Sequence, residues 1–167
     1  GEDEVTEPAA TATVSVRVAV TPELAFELFT REIDAWWRRG PKFRHAGRHD
    51  GSIAIEPRVG GRVFERWREH GAQREFELGT VLAWEPPFRL VYTWRNATFA
   101  PLEATEVEVT FAGAGDGTLV TVRHRGWEAL RGDHPARHGR TGAAFARELG
   151  LWWGEQLSAL RERAPRR

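Results

Sequence analysis

The feature that most constrains this chain is a series of six strand-like segments, each closed by turn chemistry, set between two helical ends. The segments fall at about 52–57, 61–68, 73–85, 88–96, 104–112 and 117–125, and Gly60-Gly61, Gly71, Pro86-Pro87 and Gly113-Ala-Gly-Asp-Gly117 punctuate them. Connections this short force successive strands to run antiparallel. Upstream, Ala12, Val14, Val16, Val18 and Val20 alternate with Thr13, Ser15, Arg17 and Ala19. A strict period of two predicts one more half-buried strand. Thr21-Pro22 then supplies an N-cap and a proline for the first helical position. Ala25, Leu28, Phe29 and Ile33 follow at helical spacing with a break near Thr30, and Trp36-Trp37 closes this short helical pair. At the other end, Phe145, Leu149, Trp152, Trp153, Leu157 and Leu160 form a wide apolar stripe on a helix expected over 140–163. Gly150 and Gly154 lie inside it, each costing about 1 kcal/mol relative to alanine, which predicts close backbone contact or bending there. The expected fold class is α+β: a curved antiparallel sheet of about seven strands around a long C-terminal helix, with two short helices after the first strand. That arrangement encloses an aromatic space.

Composition narrows what such a fold can do. At 167 residues one core is expected, over residues 11–163, preceded by an acidic disordered tail over 1–10. Lys and Arg balance Asp and Glu at 24 each, which argues against a general nucleic-acid binder. No apolar run approaches the roughly 20 residues of a membrane span. The first residues, Gly1-Glu-Asp-Glu-Val, are unlike a signal peptide, so a cytoplasmic location is expected. The absence of cysteine excludes disulfides, thiolate catalysis and cysteine-bound zinc. Eight tryptophans and nine phenylalanines are the unusual component, suited equally to a core or a pocket wall.

Polar partners assign the strand faces. Arg89 and Thr93 face out, leaving Phe88, Leu90, Tyr92 and Trp94 inside; Glu75 and Glu77 face out, leaving Phe76, Leu78, Leu82 and Trp84 inside. The same rule sends Val107, Val109 and Phe111, then Val120, Val122 and His124, and then Val63, Glu65 and Trp67 inward. The interior is therefore aromatic with two polar intruders, Glu65 and His124. A buried carboxylate and a buried imidazole in one cavity suit acid–base work. Structural pairing, Glu65 with an arginine and His124 with a backbone carbonyl, is the favoured reading. No nucleophile or oxyanion motif accompanies them. His45-x-x-x-His49 and His134-x-x-x-His138 have zinc-like spacing, but both lie in Gly- or Pro-bearing loops, so no metal is expected and the histidines are assigned to solvated loops. The loop from Arg38 to His49 carries five Lys or Arg and no acid before Asp50. A solvated loop is the leading reading; an anionic ligand, an acidic protein partner or the chain's own acidic residues Glu2, Asp3, Glu4 and Glu7 would also suit it.

Several motifs narrow the fold further. They are Ile33-Asp-Ala-Trp-Trp37, Glu56-Pro-Arg-Val-Gly-Gly61, Val81-x-x-Trp-Glu-Pro-Pro-x-Arg-Leu90 with Tyr92-Thr-Trp94, Thr105-x-Val-x-Val109, Gly117-Thr-x-Val-Thr-Val122 with His124-x-Gly-Trp127, and Trp152-Trp-x-x-x-Leu157. The chain resembles the helix-grip, or START-like (SRPBCC), superfamily, and within it the single-domain bacterial members of the activator of heat-shock-protein-90 ATPase homologue-like family. The resemblance runs from Ala12 to Leu160. A tryptophan is common in the family just before the glycine of the fourth strand, where this chain has Leu78 before Gly79.

Within that fold, Trp36, Glu65, Trp67, Leu78, Tyr92, Trp94, Val109, His124, Trp127, Leu149 and Trp152 are the expected ligand-binding residues. The leading reading is a non-catalytic module that holds a small apolar or aromatic molecule, admitted between the loops at 38–49 and 126–139, with no cofactor. The resemblance implies two alternatives: a chaperone-associated protein partner, or a cyclase- or hydrolase-like enzyme using Glu65 and His124.

Overall fold

The computed structural model describes residues 11–131, 133–140 and 142–164. The acidic tail expected over 1–10 lies outside the described residues. The elements run β1 (Ala12–Val18), α1 (Pro22–Thr30), α2 (Ile33–Trp36), β2 (Gly51–Ile55), β3 (Arg62–Glu69), β4 (Ala72–Glu85), β5 (Arg89–Trp94), β6 (Thr105–Ala114), β7 (Gly117–Arg125) and α3 (Gly142–Arg163). Two short 3₁₀ turns, Trp127–Ala129 and Pro135–Arg137, lie between β7 and α3. The seven strands form one antiparallel sheet in the order β1-β7-β6-β5-β4-β3-β2. Six consecutive strands form a meander, and β1 adds to its far edge. This is the helix-grip architecture.

Local chemistry explains the element ends. Thr21 caps α1 by accepting from the Leu24 N–H, with Pro22 at the first helical position. The β3–β4 hairpin turns through His70 and Gly71, both with positive φ, as a two-residue type I′ turn requires. The core lies between the inner face of the sheet and the three helices. Phe26 and Phe29 meet Phe111 edge-on, and Phe29 also meets Trp36. Fully burying such side chains contributes about 1.5–3 kcal/mol each. On β6, Thr105, Val107, Val109 and Phe111 are buried while Glu106 and Glu108 face out to Arg89 and Arg125.

Three sequence expectations are corrected. Leu82 is 46% exposed rather than inward, because β4 bulges there: Val81 pairs Tyr92 and Ala83 pairs Val91, so Leu82 is the extra residue. Phe88 is 65% exposed because it belongs to the turn before β5, closed by its N–H to the Glu85 carbonyl. Gly150 and Gly154 mark no close approach. An added Cβ at Gly150 would make an ordinary 3.8 Å contact with Val14, and at Gly154 would meet open space. The close approach is instead at Gly79, where a Cβ would collide with the Thr93 carbonyl oxygen.

Candidate functional site

A cavity of about 710 Å³ opens between α3, the central strands and two loops. Its buried wall comes from Leu78 on β4, His124 on β7, Trp127 in the following turn and Phe145 on α3, with half-buried Trp94 at the end of β5 beside them. Leu149 and Trp152, on the flank of the α3 stripe, are half-buried because they face this space while Trp153, Leu157 and Leu160 face solid core. Trp37, Phe43 and His45 extend the wall, and Lys42, Glu148 and Glu155 form a charged rim.

His124 is wholly buried, and its neighbours settle its tautomer. The Trp153 indole N–H, which can only donate, lies 3.1 Å from Nδ1. Nε2 therefore carries the proton and donates to Thr105 Oγ1 at 2.7 Å, and that hydroxyl donates to the Trp94 carbonyl at 3.0 Å. Burial pushes the imidazole pKa down to about 3. His124 is thus neutral, with both ring nitrogens engaged.

Glu65 is also buried, and it faces a loop. Its carboxylate accepts from the backbone N–H of His45 (2.9 Å) and of Ala46 (3.1 Å) and from His45 Nδ1 (2.9 Å). Burial pushes its pKa up, but the bonds from the His45 side chain and from the two backbone N–H groups outweigh that and hold it below the usual value. The His45 ring stacks on Phe76, centroids 4.0 Å apart. Glu65 and His124 thus have separate partners and form no acid–base pair. The expected arginine partner of Glu65 is replaced by this loop clamp, and His124 reaches a backbone carbonyl only through Thr105.

Both loops that frame the mouth hang on a buried arginine. The Arg44 guanidinium donates to Asp34 Oδ1 (2.7 Å) and to the carbonyls of Trp37 (2.6 Å), Asp34 (3.2 Å) and Arg38 (3.2 Å). Arg137 donates to the carbonyls of Trp127 (2.6 Å), Leu130 and Arg131 (both 3.2 Å). His134, expected in a solvated loop, is instead buried: its Nδ1 accepts from the Ala136 N–H and its Nε2 bonds Glu103 at 2.9 Å. His45 is likewise drawn inward by Glu65. Among the described residues no three metal-ligating side chains converge, and no helix is long and apolar enough to cross a membrane.

Of the eleven residues expected to bind ligand, Leu78, Trp94, His124, Trp127, Leu149 and Trp152 line the cavity. Five do not. Trp36 packs in the core with its indole N–H on the Leu28 carbonyl, and Val109 is solid core. Tyr92 is buried, its hydroxyl without a hydrogen-bond partner among the described residues and its pKa raised by burial. Trp67 is half-buried on β3 and donates to Glu69, and Glu65 holds the loop. Sequence reasoning did not pick out Trp37, Phe43 and Phe145 as wall residues. The available signal was Phe43, a lone large aromatic in a basic Gly-Pro loop. The indole N–H groups of Trp94 and Trp127 find no acceptor among the described residues.

The family model described as Activator of Hsp90 ATPase homolog 1-like protein matches residues 19–149. Among solved structures, protein MLL2253 from Mesorhizobium loti superposes with a TM-score of 0.61 at 20% identity, over 91% of this chain and 94% of that one. The Aha1 dimer from Colwellia psychrerythraea gives 0.60 at 15% identity, over 92% and 95%. The solution structure of ChR145 from Cytophaga hutchinsonii gives 0.63 at 14% identity, over 91% of each chain. At these identities the likeness is one of fold. No curated protein matches the chain.

Proposed function

This chain belongs to the Activator of Hsp90 ATPase homolog 1-like family, and on that premise we propose that it binds a small apolar or aromatic molecule, without transforming it, in the cavity beside α3. The observation that carries the reading is the character of the buried wall. It is mostly aromatic and aliphatic; of its two buried ionisable groups, His124 is neutral with both nitrogens bonded and the Arg44 guanidinium is taken up by Asp34 and three backbone carbonyls. A volume of about 710 Å³ is in the range of small-molecule sites. A charge placed against that wall would find no free counter-ion, Arg44 being already paired with Asp34, so the inner part of the ligand is uncharged. The contacts we assign to it are Leu78, Trp94, His124, Trp127, Leu149 and Trp152, together with Trp37, Phe43 and Phe145. The cyclase- or hydrolase-like alternative lacks its acid–base pair in this geometry, since Glu65 is spent on the loop. A chaperone-associated role is the second reading; it rests on the family description and on the resemblance to the Aha1 dimer. We place the protein in the bacterial cytoplasm: its fold relatives are bacterial, and a cysteine-free chain has no need of an oxidising compartment.

The test is native mass spectrometry of protein purified from its host, joined to titration with N-phenyl-1-naphthylamine, a neutral apolar fluorophore. The parent protein should bind the fluorophore and gain thermal stability with its concentration. Leu78→Trp, which fills the wall, should lose affinity at least about tenfold while keeping the parent's circular dichroism. A parent that binds neither fluorophore nor host molecule, or a Leu78→Trp variant that binds equally well, would remove the cavity as the site.

A further inference from the structure

The two loops that frame the cavity mouth are held very differently. On one side, Arg137 ties three carbonyls of the 126–139 loop, and buried His134 bonds Glu103, which also accepts from the Ala100 N–H at 2.7 Å. That rim is anchored by groups away from solvent. On the other side, anchoring stops partway. Residues 44–46 are held by buried Arg44 and buried Glu65. The preceding residues, Pro41, Lys42 and Phe43, line the cavity and have no buried charged anchor of this kind, only a local turn in which the Phe43 and Arg44 N–H groups donate to the Gly40 carbonyl at 3.0 and 2.9 Å.

These three residues are fastened to α3 by contacts at the surface. The Trp152 indole N–H donates to the Lys42 carbonyl at 2.9 Å, and Lys42 Nζ lies 2.6 Å from Glu155 Oε1. The Lys42 and Glu155 side chains are 59% and 44% exposed, and an exposed pair of this kind contributes little to stability. The Phe43 ring rests on Trp152 with centroids 5.6 Å apart, and the Phe43 carbonyl accepts from the Trp37 indole at 3.1 Å. Immediately upstream, Gly40 has φ +101 with nothing within 4 Å of where a Cβ would stand. A left-handed glycine in open space can rotate without collision. A hinge at Gly40, a fixed point at Arg44 and a weak latch to α3 between them are the parts of a door.

We propose that residues 41–43 are the door of the cavity, swinging about Gly40 and Arg44 and latched to α3 by the Lys42–Glu155 ion pair and the Trp152–Lys42 hydrogen bond. The proposal rests on the binding reading above and adds the route. The ligand passes between the 41–43 segment and α3, and the 126–139 loop stays still. Opening breaks the two exposed polar contacts to α3, the Phe43–Trp152 contact, the Trp37 indole bond to the Phe43 carbonyl and the turn bonds to the Gly40 carbonyl. It leaves the Arg44 and Glu65 anchors intact, so the fold does not loosen when the door moves.

The chain contains no cysteine, so a pair can be introduced cleanly. In Lys42→Cys/Glu155→Cys, a short bismaleimide linker with a reducible disulfide would bolt the door to α3. Stopped-flow mixing with N-phenyl-1-naphthylamine should show association at least about tenfold slower in the bolted protein, with the parent rate restored by reductant and the circular dichroism unchanged throughout. The independent variant Glu155→Gln, which weakens the latch without a linker, should raise association and dissociation rates together by about threefold or more and leave the equilibrium constant near the parent value. If the bolted protein admits the fluorophore at the parent rate, the door is wrong although binding stands. If the parent protein does not bind the fluorophore at all, the binding reading fails and the door falls with it.

Discussion

Gly79 occupies a position no other residue can fill, because the backbone of β5 lies where a Cβ would be and the Thr93 side chain also takes the Thr80 N–H at 2.9 Å. The β3–β4 register jumps here, with Val63 opposite Gly79 and Phe64 opposite Glu77, leaving Leu78 as the extra residue. That jump, together with the bulge at Leu82, bends β4, and Leu78 projects into the cavity from the first of the two bulges. Gly79→Ala should therefore cost about 3 kcal/mol or more, since backbone rather than a flexible side chain is in the way. Gly154 is the opposite case, a helical glycine beside open space. Gly154→Ala should raise stability by about 1 kcal/mol, a gain of about 2–4 °C in melting temperature for a domain of this size. Thermal melts of the two variants beside the parent check both; a Gly79→Ala protein as stable as the parent would show that β5 can yield. Composition alone treats all 17 glycines alike.

At the scale of elements, α2, the 40–47 loop, β2 and β3 act as one assembly organised by two acids. Asp34 on α2 accepts from Arg44 and from the Ile53 N–H of β2; burial pushes its pKa up, while those two bonds and the nearby Arg44 and Arg39 charges pull it below the usual value. Glu65 on β3 accepts from residues 45 and 46. Replacing Glu65 with Gln leaves one acceptor oxygen for three donors and turns an amide NH₂ toward one of them, a cost of about 1–3 kcal/mol. The His45 and Ala46 amides should then exchange hydrogen markedly faster, with β6 and β7 protected as before. Unchanged protection at 45 and 46 would mean that Arg44 alone holds the loop. The strand boundaries and the break between α1 and α2 were legible because turn residues and periodicity are local. The Glu65 clamp was not, because donors and acceptor are about twenty residues apart and two of the three donors are backbone groups, which every residue carries.

The whole molecule should be sensitive to acid below the histidine range. His124 has its ordinary pKa near 6.5 when unfolded and about 3 when folded. Between those values the unfolded chain binds a proton that the native one refuses, so stability is full above about pH 6.5 and falls as pH drops toward 3. For one such group the slope approaches about 1.4 kcal/mol per pH unit. Glu65 and Asp34, whose folded pKa values are depressed, add to the loss only as pH falls through the carboxylate range. His124→Gln can still accept from Trp153 and donate to Thr105 but cannot titrate. Its denaturation free energy should be nearly flat between pH 6.5 and 5 where the parent's declines. Parallel pH profiles for the two proteins would show that His124 is not the group responsible.

The sequence by itself determined the element order, the antiparallel sheet, the long helix with its apolar stripe, and the aromatic character of the interior, because each follows from spacing within a few residues. It also placed His124 inside, since β7 keeps an unbroken alternation. Tertiary structure decided the rest. It turned Leu82 outward through a bulge that only strand pairing creates. It sent Trp36 and Val109 into solid core and left Leu149 and Trp152 facing open space, because an inward-pointing side chain meets core or cavity according to how closely the facing element packs. It folded Arg44, His45, His134 and Arg137 out of loops read as solvated, because each meets carbonyl, carboxylate or backbone groups brought to it by other parts of the chain. Period reports which way a side chain points; what stands opposite it is a property of the assembled sheet, helices and loops.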